Sequence, residues 1–344
     1  MGGFADTVFR RVIRDYSDGV LIPIPQYPLY SAAITSFGGT QLGYKVELWD
    51  DGTWRVDLRA LEKTIDTARS NGVVARALCV INPGNPTGQL LEQSEMAALV
   101  KLCEKKRLVL LADEVYQANI YDTGSFISFK RVVRETKSDL ELASFHSVSK
   151  GVVGECGLRA GFMELVNFHA HALEIVEKML SVSLCSSIPG QVAILAMVQP
   201  PGDATAAKED REERDALLAS LHRRSSRLVE KLNTLPGVRC PKVQGALYAF
   251  PELILPAGAV AKAKERGITP DFLYCEELLD HTGICTVPGS GFGQEGRWHI
   301  RTTFLPSEEK MDKVTEAFAT FHVAFLERYG GLPSADTTVE LGED

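Results

Sequence analysis

Three short segments, in this order along the chain, hold residue types that could do chemistry together. Asn82-Pro83-Gly84-Asn85-Pro86-Thr87-Gly88 comes first and Asp113-Glu114-Val115-Tyr116 second. Ser147-Val148-Ser149-Lys150 is third, with Arg159 nine residues beyond the lysine. A lysine amine attacks carbonyl carbon once it is partly desolvated or set near other cations, because it is otherwise protonated at neutral pH. Lys150 lies just past the apolar run Leu142 to Phe145, which reads as a buried strand. Asp113 ends the run Leu108-Val109-Leu110-Leu111-Ala112, which has the make-up of a buried parallel strand. A carboxylate there is costly unless it meets a cation. Asn85 sits in a turn fixed by prolines and glycines, directly after the apolar run Ala77 to Ile81. Ligands of open α/β sheets bind at that edge. Ser147, Ser149 and Arg159 combine hydroxyl donors with positive charge, as a phosphate requires.

Each feature alone has a plain structural explanation: a solvated lysine, a capping aspartate, an Asn-Pro turn. As an ordered set they are the groups that pyridoxal 5′-phosphate needs from a protein. Lys150 would form the Schiff base, Asp113 would hold the ring nitrogen, and Asn85 and Tyr116 the ring oxygen. Ser147, Ser149 and Arg159 would take the phosphate. One more arginine stands in His299-Ile300-Arg301-Thr302-Thr303-Phe304, which alternates as a strand. A guanidinium there would grip an α-carboxylate through two hydrogen bonds. Gly289-Ser290-Gly291-Phe292-Gly293 lacks the glycine spacing and the basic residue of a nucleotide loop, and reads as a turn.

These groups need a scaffold that brings strand ends together. Strand-like runs at Val20-Ile24, Leu42-Val46, Ala77-Ile81, Leu108-Asp113, Leu142-Ser147 and Ala160-Glu164 recur between helical patterns. One such helix is capped by Asp57 ahead of Leu58, Leu61 and Ile65. The alternation predicts an α/β fold, a mostly parallel sheet flanked by helices. A long charged helix from Ala204 to Leu235, stopped by Pro236-Gly237, leads to strands at Val238-Cys240, Ala246-Phe250, Ile284-Val287 and His299-Phe304, then a helix over Glu308 to Arg328. The expected division is a large cofactor-binding domain over 1–203, a connecting helix over 204–235, a smaller α+β domain over 236–329 and a disordered polar tail from 330. Substrate would bind between the two domains, whose closure excludes water.

Bulk properties narrow the class. The 344 residues carry a formal charge of −8, which argues against nucleic acid as a main partner. No apolar run is long enough to span a bilayer. Seven scattered cysteines, Cys79, Cys103, Cys156, Cys185, Cys240, Cys275 and Cys285, form no CxxC pair and suggest reduced thiols in the cytoplasm or mitochondrial matrix. The histidines show no metal-ligand spacing, and His146 reads as a packed strand residue.

The residue set resembles the fold-type I, class I/II aminotransferases, and within them the alanine branch. The resembling stretches are Gly19 to Tyr30, Cys79 to Gln89, Leu111 to Gln117, Ala143 to Gly161 and Gly283 to Gln294, and the similarity runs from Asp18 to Tyr329. Ser144 to Gly151 with Gly154-Glu155-Cys156-Gly157 is characteristic of the alanine and glutamate:glyoxylate branch, and argues against a lyase of the aminocyclopropane-carboxylate synthase type. The resemblance implies that Tyr27 stacks on the cofactor ring and that Arg301 with Asn85 binds substrate. It implies ping-pong transamination between L-alanine and 2-oxoglutarate, with Lys150 carrying the proton, in a homodimer. Members of that family carry a long segment ahead of the Gly19-Val20-Leu21 strand, including a first sheet strand and a helix whose N-terminus binds the phosphate. Here about eighteen residues precede that strand, with a short basic helix-like pattern between Met1 and Arg14. The resemblance therefore carries an alternative, an inactive N-terminally truncated fragment or pseudoenzyme that retains the fold. It also predicts an open sheet edge near Ala160 to Glu164.

Overall fold

A computed structural model describes residues 2–121, 125–182, 186–199 and 201–332. Cys185 and most of the expected polar tail, 333–344, lie outside the described residues. In chain order the elements begin with α1 (Gly2–Val12), β1 (Asp18–Ile24), α2 (Pro28–Ser36), β2 (Thr40–Leu48), β3 (Trp54–Val56), α3 (Leu58–Ser70), β4 (Val74–Ile81), α4 (Gln93–Lys106), β5 (Val109–Asp113), α5 (Phe129–Glu135), β6 (Leu142–Ser147) and β7 (Gly161–Val166). There follow α6 (Ala170–Val182), α7 (Ile188–Val198), α8 (Ala204–Leu232), β8 (Val238–Arg239), β9 (Tyr248–Ala249), β10 (Glu252–Leu253), α9 (Ala257–Arg266), α10 (Pro270–Thr282), β11 (Val287–Pro288), β12 (Trp298–Thr303) and α11 (Glu308–Arg328).

The first sheet has the order β3-β2-β1-β4-β5-β6-β7. Strands β2, β1, β4, β5 and β6 run parallel, while β3 and β7 are antiparallel at the two edges. Both faces are covered. Leu78, Val80, Leu110 and Ala112 pack into one apolar layer, and the alternate residues Ala77, Cys79, Ile81 and Leu111 into another. Burial on both faces is why these runs read as unbroken apolar stretches rather than alternating ones. The helices take local start signals. Asp57 accepts from the amides of Arg59 and Ala60 at the head of α3, and Glu92 and Glu95 form a capping box on α4. A second, smaller sheet is antiparallel throughout, in the order β11-β12-β10-β8 with β9 also on β12. The fold is thus a mostly parallel α/β sheet with a smaller antiparallel one.

Several boundaries differ from the sequence reading. β3 was not expected: its three residues are too few for a periodic pattern, and Trp54 is buried by the fold-back on β2 together with the rings of Phe250 and His299. The segment read as a strand over Ile284–Val287 pairs only from Val287, and β8 and β9 shrink to two residues each. Each finds only a short stretch of partner. Gly289–Phe292 forms a 3-10 turn that ends at Gly293 with φ +76°. The expected open edge is present, since β7 is the terminal strand.

β1 is anchored by charge at its first residue. Asp18 is fully buried, and its carboxylate accepts from Arg14 Nε at 2.8 Å, Arg14 Nη2 at 2.9 Å and Arg76 Nε at 2.6 Å. These arginines hold it well below the usual carboxylate range. Leaving both arginines without it should cost on the order of 2–3 kcal/mol at neutral pH. Asp18→Asn should therefore lower the free energy of chemical unfolding by that amount. A depressed acid contributes stability above its unfolded value and loses it below, so the gap should narrow as pH falls below about 4. Equal stability of the two proteins at pH 7 would reject the anchor.

Candidate functional site

The parallel run β4-β5-β6 delivers its C-terminal ends to one edge of the sheet, and each end continues into one of the three segments singled out in the sequence. Asn82–Gly88 follows β4, Asp113 ends β5 with Glu114–Tyr116 after it, and Ser147 ends β6 with Ser149 and Lys150 beyond. Alignment of these ends comes from the register: Ile81 pairs with Asp113, and Asp113 with Phe145.

Lys150 is half-buried. Its Nζ lies 3.5 Å from the hydroxyl of Tyr248 and 5.8 Å from the centroid of the Tyr116 ring. The two phenols face each other at 3.0 Å. Burial, chiefly, and the neighbouring Tyr248 raise the Tyr116 phenol, so it stays protonated at neutral pH. Arg301 on β12 reaches across to the first sheet, where its Nη1 donates to Asn85 Oδ1 at 3.1 Å. That bond leaves the Asn85 amide hydrogens to point elsewhere. The guanidinium also sits over the rings of Tyr248, at 4.3 Å, and Phe292, at 4.9 Å. Lys150, Tyr116, Asn85 and Arg301 are therefore joined into one cluster, and Tyr248 is the residue that links them.

Asp113 forms the floor. It is buried, accepts from Tyr30 Oη at 2.8 Å and from the Val115 amide at 3.4 Å, and makes no ion pair among the described residues. Burial pushes it up to about 6, against the pull of those two hydrogen bonds and of the positive charge on Lys150. Tyr30 in turn packs edge-on against Tyr27, ring centroids 6.1 Å apart, at the head of α2. A carboxylate held dry and short of a cation suits a protonated ring nitrogen. The residues present therefore fit a pyridinium.

The remaining predicted groups lie together on the loop after β6, which is the more open end. Ser147 Oγ donates to Ala160 O at 3.2 Å and accepts from the Ser149 amide at 3.1 Å, so its hydroxyl is engaged within the loop. Arg159 is exposed, has left-handed φ of 51°, and holds Cys156 O through Nη1 at 2.7 Å. Gly151 and Gly154 also take positive φ, which lets the chain turn back sharply between lysine and arginine. His146 is buried edge-on against Phe162, and burial pushes it down to about 4, so it stays a neutral packing residue. A separate cavity of about 510 Å³, lined by residues that include Trp54, Gln294 and His299, reaches none of the cluster residues.

Tyr248, Tyr30 and Phe292 escaped the sequence reading. Tyr248 carries no motif beyond the Gly245-Ala246 that precedes it, and Tyr30 reads as an ordinary apolar face of α2. Their roles exist only once distant segments meet: Tyr30 and Asp113 are separated by 83 positions, Tyr248 and Lys150 by 98.

The profile of the family described as Aminotransferase class I and II matches residues 3–318. Among curated proteins, a probable mitochondrial alanine aminotransferase of Dictyostelium discoideum is 48% identical over 332 residues, 94% of this chain and 61% of that protein. Alanine aminotransferase 1 of Bos taurus is 45% identical over 318 residues, 90% of this chain and 64% of that protein. Glutamate–glyoxylate aminotransferase 1 of Arabidopsis thaliana is 44% identical over 326 residues, 92% and 67%. The chain thus spans about three-fifths to two-thirds of the length of these relatives. Among solved structures, an aminotransferase from Escherichia coli superposes with TM-score 0.77 at 25% identity, over 94% of this chain and 74% of that one. An alanine aminotransferase from Pyrococcus furiosus does so with TM-score 0.76 at 25% identity, over 93% and 74%. No helix among the described residues is long and apolar enough to cross a membrane. Sheet order, strand-end cluster and the extent of these matches agree, and the chain belongs to the class I and II aminotransferase family.

Proposed function

We propose that this chain carries out pyridoxal 5′-phosphate-dependent transamination of the alanine type, L-alanine plus 2-oxoglutarate giving pyruvate plus L-glutamate, with glyoxylate-linked transamination as the neighbouring activity of its branch. The observation that carries this reading is the cluster in which a half-buried lysine amine lies beside two hydrogen-bonded phenols and near an Asn85–Arg301 pair. The bound cofactor would supply an electron sink for charge developing at the substrate α-carbon. The chain supplies the rest. Lys150 would hold the cofactor and, once released from it, take and return the α-proton. Asp113 would keep the ring nitrogen protonated. Asn85 and Tyr116 would face the ring oxygen, and Tyr27 would lie against the ring. Ser147, Ser149 and Arg159 would hold the phosphate. Arg301, steadied by Asn85, would bind the α-carboxylate. The two sheets act in this reading as a cofactor domain and a smaller substrate domain, with the site between them.

The same reading implies a homodimer. Support comes from α7, which carries no charged residue and leaves Ile188, Val192, Leu195 and Val198 each more than half exposed. Apolar surface of that extent marks an interface. Val192→Lys with Leu195→Lys should convert a sedimenting dimer to monomer. An unchanged sedimentation coefficient would take the interface off this face.

Absorbance tests the lysine. The purified chain with pyridoxal phosphate should show a near-visible band that L-alanine collapses, and Lys150→Ala should show none. A band retained in that variant would remove Lys150 from the reaction.

Asp113 gives a prediction of opposite signs. Its carboxyl sits at about 6 in the fold against an ordinary 3.8. The folded state holds the proton more tightly, so the contribution to stability is full below about pH 4 and lost as pH rises through about 6. Asp113→Asn should raise the stability of the cofactor-free protein at pH 7, by at most about 3 kcal/mol. Glu114, pushed up to about 7 chiefly by burial and in part by the Asp113 charge, loses that last contribution in the variant, which adds to the stabilisation in the same direction. The substitution should meanwhile weaken cofactor binding roughly tenfold or more, through loss of one charge-assisted hydrogen bond. Thermal melts of the cofactor-free proteins and titration with pyridoxal phosphate check both halves; a variant less stable than the parent at pH 7 would refute the first.

A further inference from the structure

The backbone around Tyr248 is built into the site from both sides. The amides of Gln244 and Gly245 donate to Gly88 O at 3.0 and 2.9 Å, at the end of the Asn82–Gly88 turn. On the other side the Ala246 amide donates to Asn119 O at 3.0 Å, the Tyr121 amide donates to Gln244 O at 3.0 Å, and Tyr121 Oη donates to Ala246 O at 2.6 Å. Two glycines make this approach feasible. A Cβ on Gly88 would come within 3.0 Å of Tyr248 O, and one on Gly245 within 2.8 Å of Pro83 Cβ. Ala246 is fully buried and held at φ +60°, a conformation that costs a non-glycine residue of order 1 kcal/mol and persists only where its surroundings impose it. Five hydrogen bonds and a strained residue thus fix one side chain, two positions further on.

That side chain offers two surfaces to two different groups. Its hydroxyl lies 3.5 Å from Lys150 Nζ and 3.0 Å from the Tyr116 hydroxyl. Its ring lies under the Arg301 guanidinium at 4.3 Å. The charged or titratable groups facing this point are Lys150, Tyr116 and Arg301, with Asp113 felt by Lys150 from the end of β5. We propose that Tyr248 is a positioning residue with two separable functions: its phenol holds the Lys150 amine and the Tyr116 hydroxyl in register, and its ring face orients Arg301 toward a substrate carboxylate. This rests on the transaminase reading given above, and adds to it a residue that couples the amine end of the site to the carboxylate end.

The two functions separate by substitution. Tyr248→Phe keeps the ring and removes the hydroxyl; Tyr248→Leu removes both. Three readouts apply to the whole chain: the rate at which trinitrobenzenesulfonate labels Lys150 at pH 8 without cofactor, the pH midpoint of the near-visible band with cofactor, and the affinity of the loaded protein for propionate. Propionate has the three-carbon carboxylate but no amine to react. The phenol oxygen accepts from the lysine nitrogen and holds the amine in place. Tyr248→Phe should therefore release the amine, raise labelling about threefold and lower the pH midpoint of the band by about half a unit, with propionate binding kept within about twofold. Tyr248→Leu should show the same two changes and also weaken propionate roughly fivefold, the scale of one partly desolvated cation–π contact. A midpoint and labelling rate unmoved in Tyr248→Phe, in a protein whose parent shows the band, would overturn the inference and leave the transaminase reading standing. Propionate binding weakened equally in both variants would overturn the division between ring and hydroxyl. A parent without the band would overturn the reading and the inference together.

Discussion

A carboxylate kept dry at the end of a buried strand is the constraint around which this structure is organised. Asp113 can be there only because β5 runs through the centre of a sheet covered on both faces, so that its last residue emerges at the site without meeting solvent. Among the described residues no ion pair neutralises it: a phenol and one amide are its hydrogen-bond partners, the Lys150 charge acts from further off, and burial raises its proton affinity. In a purely structural role such a group would be a liability, and an apolar residue would serve β5 better. The arrangement becomes favourable when a cation arrives in a fixed orientation. In the proposed reading a heteroaromatic ring nitrogen would be that cation; Tyr30, which donates to Asp113, meets Tyr27 edge-on beside it. The contrast with Asp18 is instructive. Both are buried aspartates of the same sheet, but Asp18 has two arginines of its own and is an anchor.

The second constraint is the seam between the two sheets. Arg301 belongs to the smaller sheet, and the atom it holds belongs to the larger one. For the carboxylate-binding role proposed for Arg301, an independently moving body would make a poor clamp, because bidentate recognition tolerates little misplacement. The hydrogen bonds from Gln244, Gly245 and Ala246 to the loops after β4 and β5 answer this directly. They tie the chain leading into β9 to the same two loops that present Asn85 and Tyr116. Since β9 pairs with β12 at Tyr248 and Thr303, the strand bearing Arg301 inherits that registration.

Much of this was legible in the sequence because the relevant signals are local. A parallel strand buried on both sides is an unbroken apolar run, and a functional group at its end is the next polar residue. That logic places Asp113 at the end of its strand, while Asn85 and Lys150 fall in the turns that follow theirs. The long α8, the capped α3 and the closing helix over Glu308–Arg328 are equally local, set by capping residues and 3.6-residue periodicity. What was not legible depends on long-range contact. Strands β8, β9 and β11 have two residues each, and their extent is decided by the partner that reaches them. Tyr248 resembles any strand tyrosine until the Asn119 and Gly88 carbonyls hold the segment before it. The Gly245-Ala246 pair is the trace it leaves in the sequence, and that trace is interpretable only when Pro83 is known to lie against Gly245.

The site is also unequal along its length, and the inequality follows from how each end is made. The amine, phenol and carboxylate end is formed by strand termini and by side chains clamped from two sides, so its groups are buried or half-buried with few alternatives. The end assigned to phosphate is formed by Ser147, Ser149 and Arg159, with the loop beyond Lys150 turning through positive-φ Gly151 and Gly154 and the arginine exposed. A doubly charged group tolerates such a setting. Its interactions are strong, need less directional control than a proton transfer, and are satisfied by hydroxyls and a guanidinium that can adjust. In the proposed reading, proton transfer by Lys150 would have no such tolerance, since its geometry must hold to within about half an ångström. On that reading the strained Ala246 and the hydrogen bonds around it are placed beside the lysine, and the adaptable groups are left for the anion.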